Sequence, residues 1–168
     1  IGATIGGTPV TSTLPTVIVA PGPATKMAVN GGNAQSATAA TPVAIAPSVI
    51  VQDANDNPVS GVSVQFAVGA GGGSVDPVDP IATTTGGIAQ VTSWRMGPLA
   101  GPNTLTATAA LSGSPVTFTA TATVGAAALI SRSSGDDLTG PVGTTLGTPH
   151  EVLVTDATGN PVQNVTIL

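Results

Sequence analysis

Val51-Gln52-Asp53-Ala54-Asn55-Asp56-Asn57-Pro58-Val59-Ser60-Gly61-Val62 recurs as Val154-Thr155-Asp156-Ala157-Thr158-Gly159-Asn160-Pro161-Val162-Gln163-Asn164-Val165. The spacing is 103 residues, from Asp53 to Asp156. It holds upstream without a gap: Gly32 and Asn33 fall on Gly135 and Asp136, and Val49 and Val51 fall on Val152 and Val154. A second echo carries Gly7-Thr8-Pro9-Val10-Thr11 onto Gly113-Ser114-Pro115-Val116-Thr117, 106 residues on. The three-residue difference fits a length change in a connecting segment. A period near 100 residues is too long for a solenoid repeat and matches one β-sandwich.

On that period the chain divides into three. Residues 1–21 read as the closing strands of one module, 22–124 as a complete module, and 125–168 as the opening strands of the next. Pro21-Gly22-Pro23 marks the first junction and Val124-Gly125-Ala126 the second. Both are short, so neighbouring modules are expected to sit close and move little. With neither a start methionine nor a leader at Ile1, the stretch reads as a window on a longer chain.

Strict alternation marks half-buried strands. Val62, Val64, Phe66 and Val68 share one face; Val116, Phe118, Ala120 and Ala122 alternate with Thr117, Thr119, Thr121 and Thr123; Leu105, Ala107 and Ala109 alternate with Thr104, Thr106 and Thr108. Threonine on the outer face keeps β propensity without adding apolar surface. Further strands are expected over Ala24–Val29 and Ser48–Val51. One segment breaks its parity, because Ala89 and Val91 share a face while Trp94 and Met96 lie on the other. A β-bulge at Thr92 or Ser93 would return Trp94 to the core. Turns fall at 55–58, 71–73, 85–87 and 97–102, and nothing reads as a helix. About seven strands so spaced predict an all-β chain of tandem immunoglobulin-like Greek-key β-sandwich modules.

Composition narrows the function. Hydrophobic residues reach 41% and mean hydropathy is +0.41, so the chain packs a core rather than staying disordered. With 3 Lys+Arg against 8 Asp+Glu, net charge is −5, which argues against nucleic acid. No apolar run approaches a membrane span. Cysteine is absent, so no disulfide holds the fold. Aromatics are so few (Phe66, Trp94 and Phe118) that each is expected to anchor a core rather than form a stacking platform for sugar.

The string at 51–62 and 154–165 resembles the bacterial immunoglobulin-like domain, group 1, of invasin- and intimin-type adhesins. Gly87-Ile88-Ala89, Trp94-x-Met96-Gly97, Ala100-Gly101 and Thr104-x-Thr106-Ala107 are similar to later parts of that pattern. The middle copy departs from it at Asp56, where the pattern and the second copy (Gly159) carry glycine, which leaves the turn type open. The resemblance implies rod-like extracellular stalks on a bacterial surface, some ending in a binding tip, and supplies no catalytic residues. Cell-surface or glycan targets would then lie elsewhere in the chain.

Candidate sites are few. Asp53, Asn55, Asp56 and Asn57 are similar to the calcium linker of cadherins and offer oxygen ligands for calcium. The competing reading is a turn whose Asp and Asn bond their own backbone, which the repeat favours, since it places the segment between two strands of one module. Asp136-Asp137 is a second acidic pair, either solvated or a weak cation site. His150 beside Glu151 lacks a nucleophile and an oxyanion hole, so no catalytic site is expected and no cofactor beyond calcium is implied. Asn164-Val165-Thr166 is a formal glycosylation sequon, and the exposed threonine rows could carry O-linked sugar. The leading function is a structural or adhesive module of an extracellular fibre, with neighbouring modules or identical subunits as partners. The alternatives are a filament subunit completed by β-strand exchange and a phage tail or capsid decoration module.

Overall fold

The computed structural model describes residues 4–9 and 19–168. Its strands in chain order are β1 (Thr4–Ile5), β2 (Thr8–Pro9), β3 (Lys26–Gly31), β4 (Gln35–Thr38), β5 (Ser48–Gln52), β6 (Ser63–Val68) and β7 (Ser74–Asp76). They continue with β8 (Ile81–Ala82), β9 (Ile88–Gln90), β10 (Ser93–Arg95), β11 (Gly101–Thr108), β12 (Val116–Thr123), β13 (Leu129–Ser134) and β14 (Glu151–Thr155). No helix occurs among the described residues. β1 and β2 pair as a short hairpin, and the rest of the expected closing strands, residues 10–18, lies outside the described residues.

Two sheets share one core. The larger runs β4-β12-β11-β6-β8, with β4 parallel to β12 and the other neighbours antiparallel. The smaller runs β3-β5-β9, antiparallel throughout. β7 and β10 form a separate antiparallel pair. In β12, every valine, phenylalanine and alanine is buried and every threonine is exposed, as the alternation requires. Met27, Val49, Val51 and Ala89 from the smaller sheet meet Val64, Phe66, Leu105, Ala107 and Phe118 from the larger. Phe66 and Phe118 lie tilted with centroids 6.4 Å apart, a favourable aromatic arrangement. Burying each contributes roughly 1.5–3 kcal/mol against conformational entropy.

Trp94 is fully buried, by a different route from the expected bulge. β9 ends at Gln90 on β5, and the chain then crosses to the other strand pair. The Val91 N–H donates to the Pro47 carbonyl and the Thr92 N–H to the Asp76 carbonyl. Changing partners resets the pleat, so Ala89, Val91, Trp94 and Met96 all face the core despite their opposite parities. The first strand also shifts from its expected limits: it starts at Lys26 and runs on to Gly31 because a bulge between Val29 and Gly31 carries the ladder to Ser48.

β13 and β14 repeat β3 and β5 at the same 103-residue spacing. Both pairs are antiparallel, and the register shift at Val29/Gly31 recurs at Arg132/Ser134. Gly32 and Gly135 both take left-handed φ (79° and 85°), as do Ala34 and Asp137 (54° and 51°). The isolated bridge from Gln52 to Pro58 recurs from Thr155 to Pro161.

Candidate functional site

The repeated turn is organised by its aspartate. Asp53 leaves β5 buried, and its Oδ1 accepts the N–H groups of Asn55 at 2.8 Å and Asn57 at 2.9 Å. This is the turn that aspartate makes with its own following backbone. Pro58 lacks an N–H and needs no partner there. Asp56 takes a left-handed φ of 66°, as Gly159 does at 91° in the second copy, so replacing glycine by aspartate preserves the turn. Aspartate is among the few side chains that tolerate this region.

The second oxygen reaches outside the turn. Asp53 Oδ2 accepts the Gly22 N–H at 2.7 Å and the Asn57 Nδ2 amide at 3.0 Å. Gly22 lies just ahead of β3, so the carboxylate pins the chain where it enters that strand. Asp156 does the same ahead of β13: Oδ2 takes the Gly125 N–H at 2.9 Å and Asn160 Nδ2 at 3.0 Å. Its Oδ1 takes the N–H groups of Thr158 and Asn160, both at 2.9 Å, and the Thr158 hydroxyl at 2.8 Å.

These donors set the electrostatics. The Asn57 side-chain amide, opposed by burial and reinforced by the N–H groups of Gly22, Asn57 and Asn55, lowers the Asp53 carboxyl to about 2. Burial works against ionisation of Asp156, but the donors from Gly125, Asn160 and Thr158 outweigh it and hold that carboxyl below the usual range.

Asn160 adds two bonds that its own turn does not need. Its Nδ2 donates to the Pro98 carbonyl at 2.9 Å, and its Oδ1 accepts the Ala100 N–H at 2.8 Å. The loop between β10 and β11 is thereby joined to the turn after β14, and Asn160 is buried. A cleft lies between Thr38–Thr41 and Gly125–Ala128, with Asp156, Ala157 and Thr158 also lining it.

The four residues considered for calcium do different work. Both Asp53 oxygens face N–H donors, Asp56 is ion-paired with Lys26, and Asn57 donates to Asp53, while Asn55 is exposed. A calcium ion needs six to eight oxygens aimed at one point, and it would have to displace those donors. The melting temperature is therefore expected to stay within about 1 °C on adding millimolar calcium. A rise of several degrees, as mass action on a folded-state site produces, would establish Asp53, Asn55, Asp56 and Asn57 as ligands.

Of the other candidates, Asp136 pairs with Arg132 across exposed side chains. Glu151 accepts the Ser134 hydroxyl at 3.0 Å and His150 is exposed beside it. Asn164 is exposed, with φ of 60°. Trp94 is enclosed and offers no face to a ligand. Among the described residues, no three His, Cys, Asp or Glu side chains gather as a metal cluster. Sequence reading missed the roles of Gly22, Gly125 and Asn160. The signal was present, since Gly22 and Gly125 sit at the same spacing as the two aspartates and Asn57 and Asn160 are kept in both copies.

No protein-family model matches the chain. No curated protein matches it. Among solved structures, a match is to the Escherichia coli adhesin FdeC, described as broadly conserved and as eliciting protection against urinary tract infections, at 20% sequence identity with a TM-score of 0.46. The match covers 82% of this chain and 42% of that one, so the chain spans less than half of the structure it resembles.

Proposed function

We propose that this chain is a run of tandem immunoglobulin-like Greek-key sandwich modules, divided at residues 1–21, 22–124 and 125–168. It serves as a structural or adhesive, non-enzymatic stalk on the outside of a bacterial cell. The observation that carries the reading is the junction lock. The same carboxylate grips the same glycine N–H at Gly22–Asp53 and again at Gly125–Asp156. A device repeated at both of these points is what a stiff array needs, because it fixes the entry of each module without a flexible linker.

The second copy supports the same reading. Its strands β13 and β14 pair antiparallel with the same register shift as β3 and β5, so the same opening pair of strands is built twice. A second reading is a filament subunit whose sandwich another subunit completes by β-strand exchange.

Electron microscopy of the native assembly, traced through residues 1 and 168, separates the two. Density continuing into further modules of one chain is the expected result. A strand from another subunit completing the sandwich would replace the stalk with a strand-exchanged filament. A globular particle with neither would sink both.

A further inference from the structure

Asn57 and Asn160 occupy the same position of the same turn, yet their surroundings differ. Asn160 is buried and makes a two-point contact with the preceding loop, through Nδ2 to Pro98 O and Oδ1 from Ala100 N. Among the described residues, the Asn57 side chain reaches only Asp53, and Asn57 is exposed. Beside it lies an open groove lined by Val19, Ala20, Pro21, Pro58 and Ser60. The amide of Asn57 therefore presents, toward the N-terminal side, the acceptor and donor that Asn160 has already engaged.

We infer that Asn57 is an inter-module docking residue, whose amide takes the carbonyl and N–H of a Pro98–Ala100-type loop on an immunoglobulin-like module preceding residue 22. The inference rests on the tandem-array reading and gives it a specific contact. The occupant follows from complementarity: one side-chain acceptor and one donor match an N–H and a carbonyl two residues apart, as at the second junction. The second junction also shows what the contact accomplishes. Asn160 binds the preceding loop and Asp156 at once, while Asp156 holds Gly125. One amide thus ties the earlier module's loop to the carboxylate that fixes the next module's entry, and this sets the angle between them. At the first junction Asn57, Asp53 and Gly22 stand ready in the same relation.

The test uses the full 168-residue chain with a second copy of residues 22–124 inserted after Val124, which places the inserted Asn57 against the first copy's Ala100. The first copy's Ala100 amide is expected to be protected from hydrogen exchange. Asn57→Ala in the inserted copy should speed its exchange about tenfold, the loss of roughly one hydrogen bond. Unchanged exchange, with Val49 and Phe118 amides still protected in both copies, overturns the inference. A comparison without substitution covers the case in which the variant copy does not fold. With segmental labelling, the inserted Asn57 side-chain amide should exchange more slowly than the first copy's, and equal rates overturn the inference. Small-angle scattering on the same protein separates the two readings. No lengthening by one module sinks the array itself, whereas lengthening with an unprotected Ala100 sinks only the role of Asn57.

Discussion

Trp94→Ala is expected to lower the stability of the two-sheet core by roughly 3–5 kcal/mol, the range for emptying a large aromatic site in a core. That is a large share of the roughly 5–15 kcal/mol that holds a domain folded. Trp94 is fully enclosed where β10 passes under the core formed by Phe66, Met96 and Phe118. Its backbone is held on both sides, by β7 and by the Val43 N–H donating to the Trp94 carbonyl, which resists closure over the space left behind. Trp94→Phe should cost far less, about 1–2 kcal/mol. A phenyl ring still fills much of the site, and the indole Nε1 that is lost is buried without a hydrogen-bond partner among the described residues. Denaturant unfolding followed by far-ultraviolet circular dichroism measures both variants, since each removes the chain's one tryptophan as a fluorophore. A Trp94→Ala midpoint indistinguishable from wild type would show that the tryptophan does not anchor the core.

Trp94 also marks how far the sequence could be read. Its burial followed from residue type, and the faces of β6, β11 and β12 followed from simple alternation, because a two-residue period admits one inward face per strand. The break in parity between Val91 and Trp94 was visible too, but its cause was not. A bulge and a change of sheet shift parity in the same way, and only the long-range partners, Pro47 and Asp76, distinguish them. β4 was unreadable for a related reason. Gln35–Thr38 carries no apolar alternation and pairs in parallel with β12, more than 80 residues away.

The site divides along the same line. The turn at Asp53 was legible because its bonds to Asn55 and Asn57 are local. Its grip on Gly22 and the hold of Asn160 on Pro98 and Ala100 span 31 to 62 residues, beyond any local signal. The polar composition that suggested oxygen ligands for a cation is equally the composition of a carboxylate supplied with N–H donors. Only their placement separates the two.

Asp53→Ala is expected to lower the melting temperature by roughly 10 °C or more, the combined effect of several donors losing one buried acceptor. The N–H groups of Gly22, Asn55 and Asn57 and the Asn57 amide all point at that carboxylate. Asp53→Asn keeps the shape but places an NH2 group against donors, so it should recover little. The charge can be isolated by pH. With the folded carboxyl held at about 2 and the unfolded one near its ordinary value of 3.8, the folded state binds the proton less readily. The stabilisation is then fully present above about pH 5, declines as pH falls through 3.8 toward 2, and is gone below that. The gap in melting temperature between wild type and Asp53→Asn should accordingly shrink across this window, while Asp156 adds an acid-sensitive contribution common to both proteins. A gap that stays constant from pH 5 to pH 2 would mean that shape rather than charge holds the turn. If the gap shrinks as expected, protection of the Gly22 amide should fall in the same range, because the ionised carboxylate is what fixes the entry to β3.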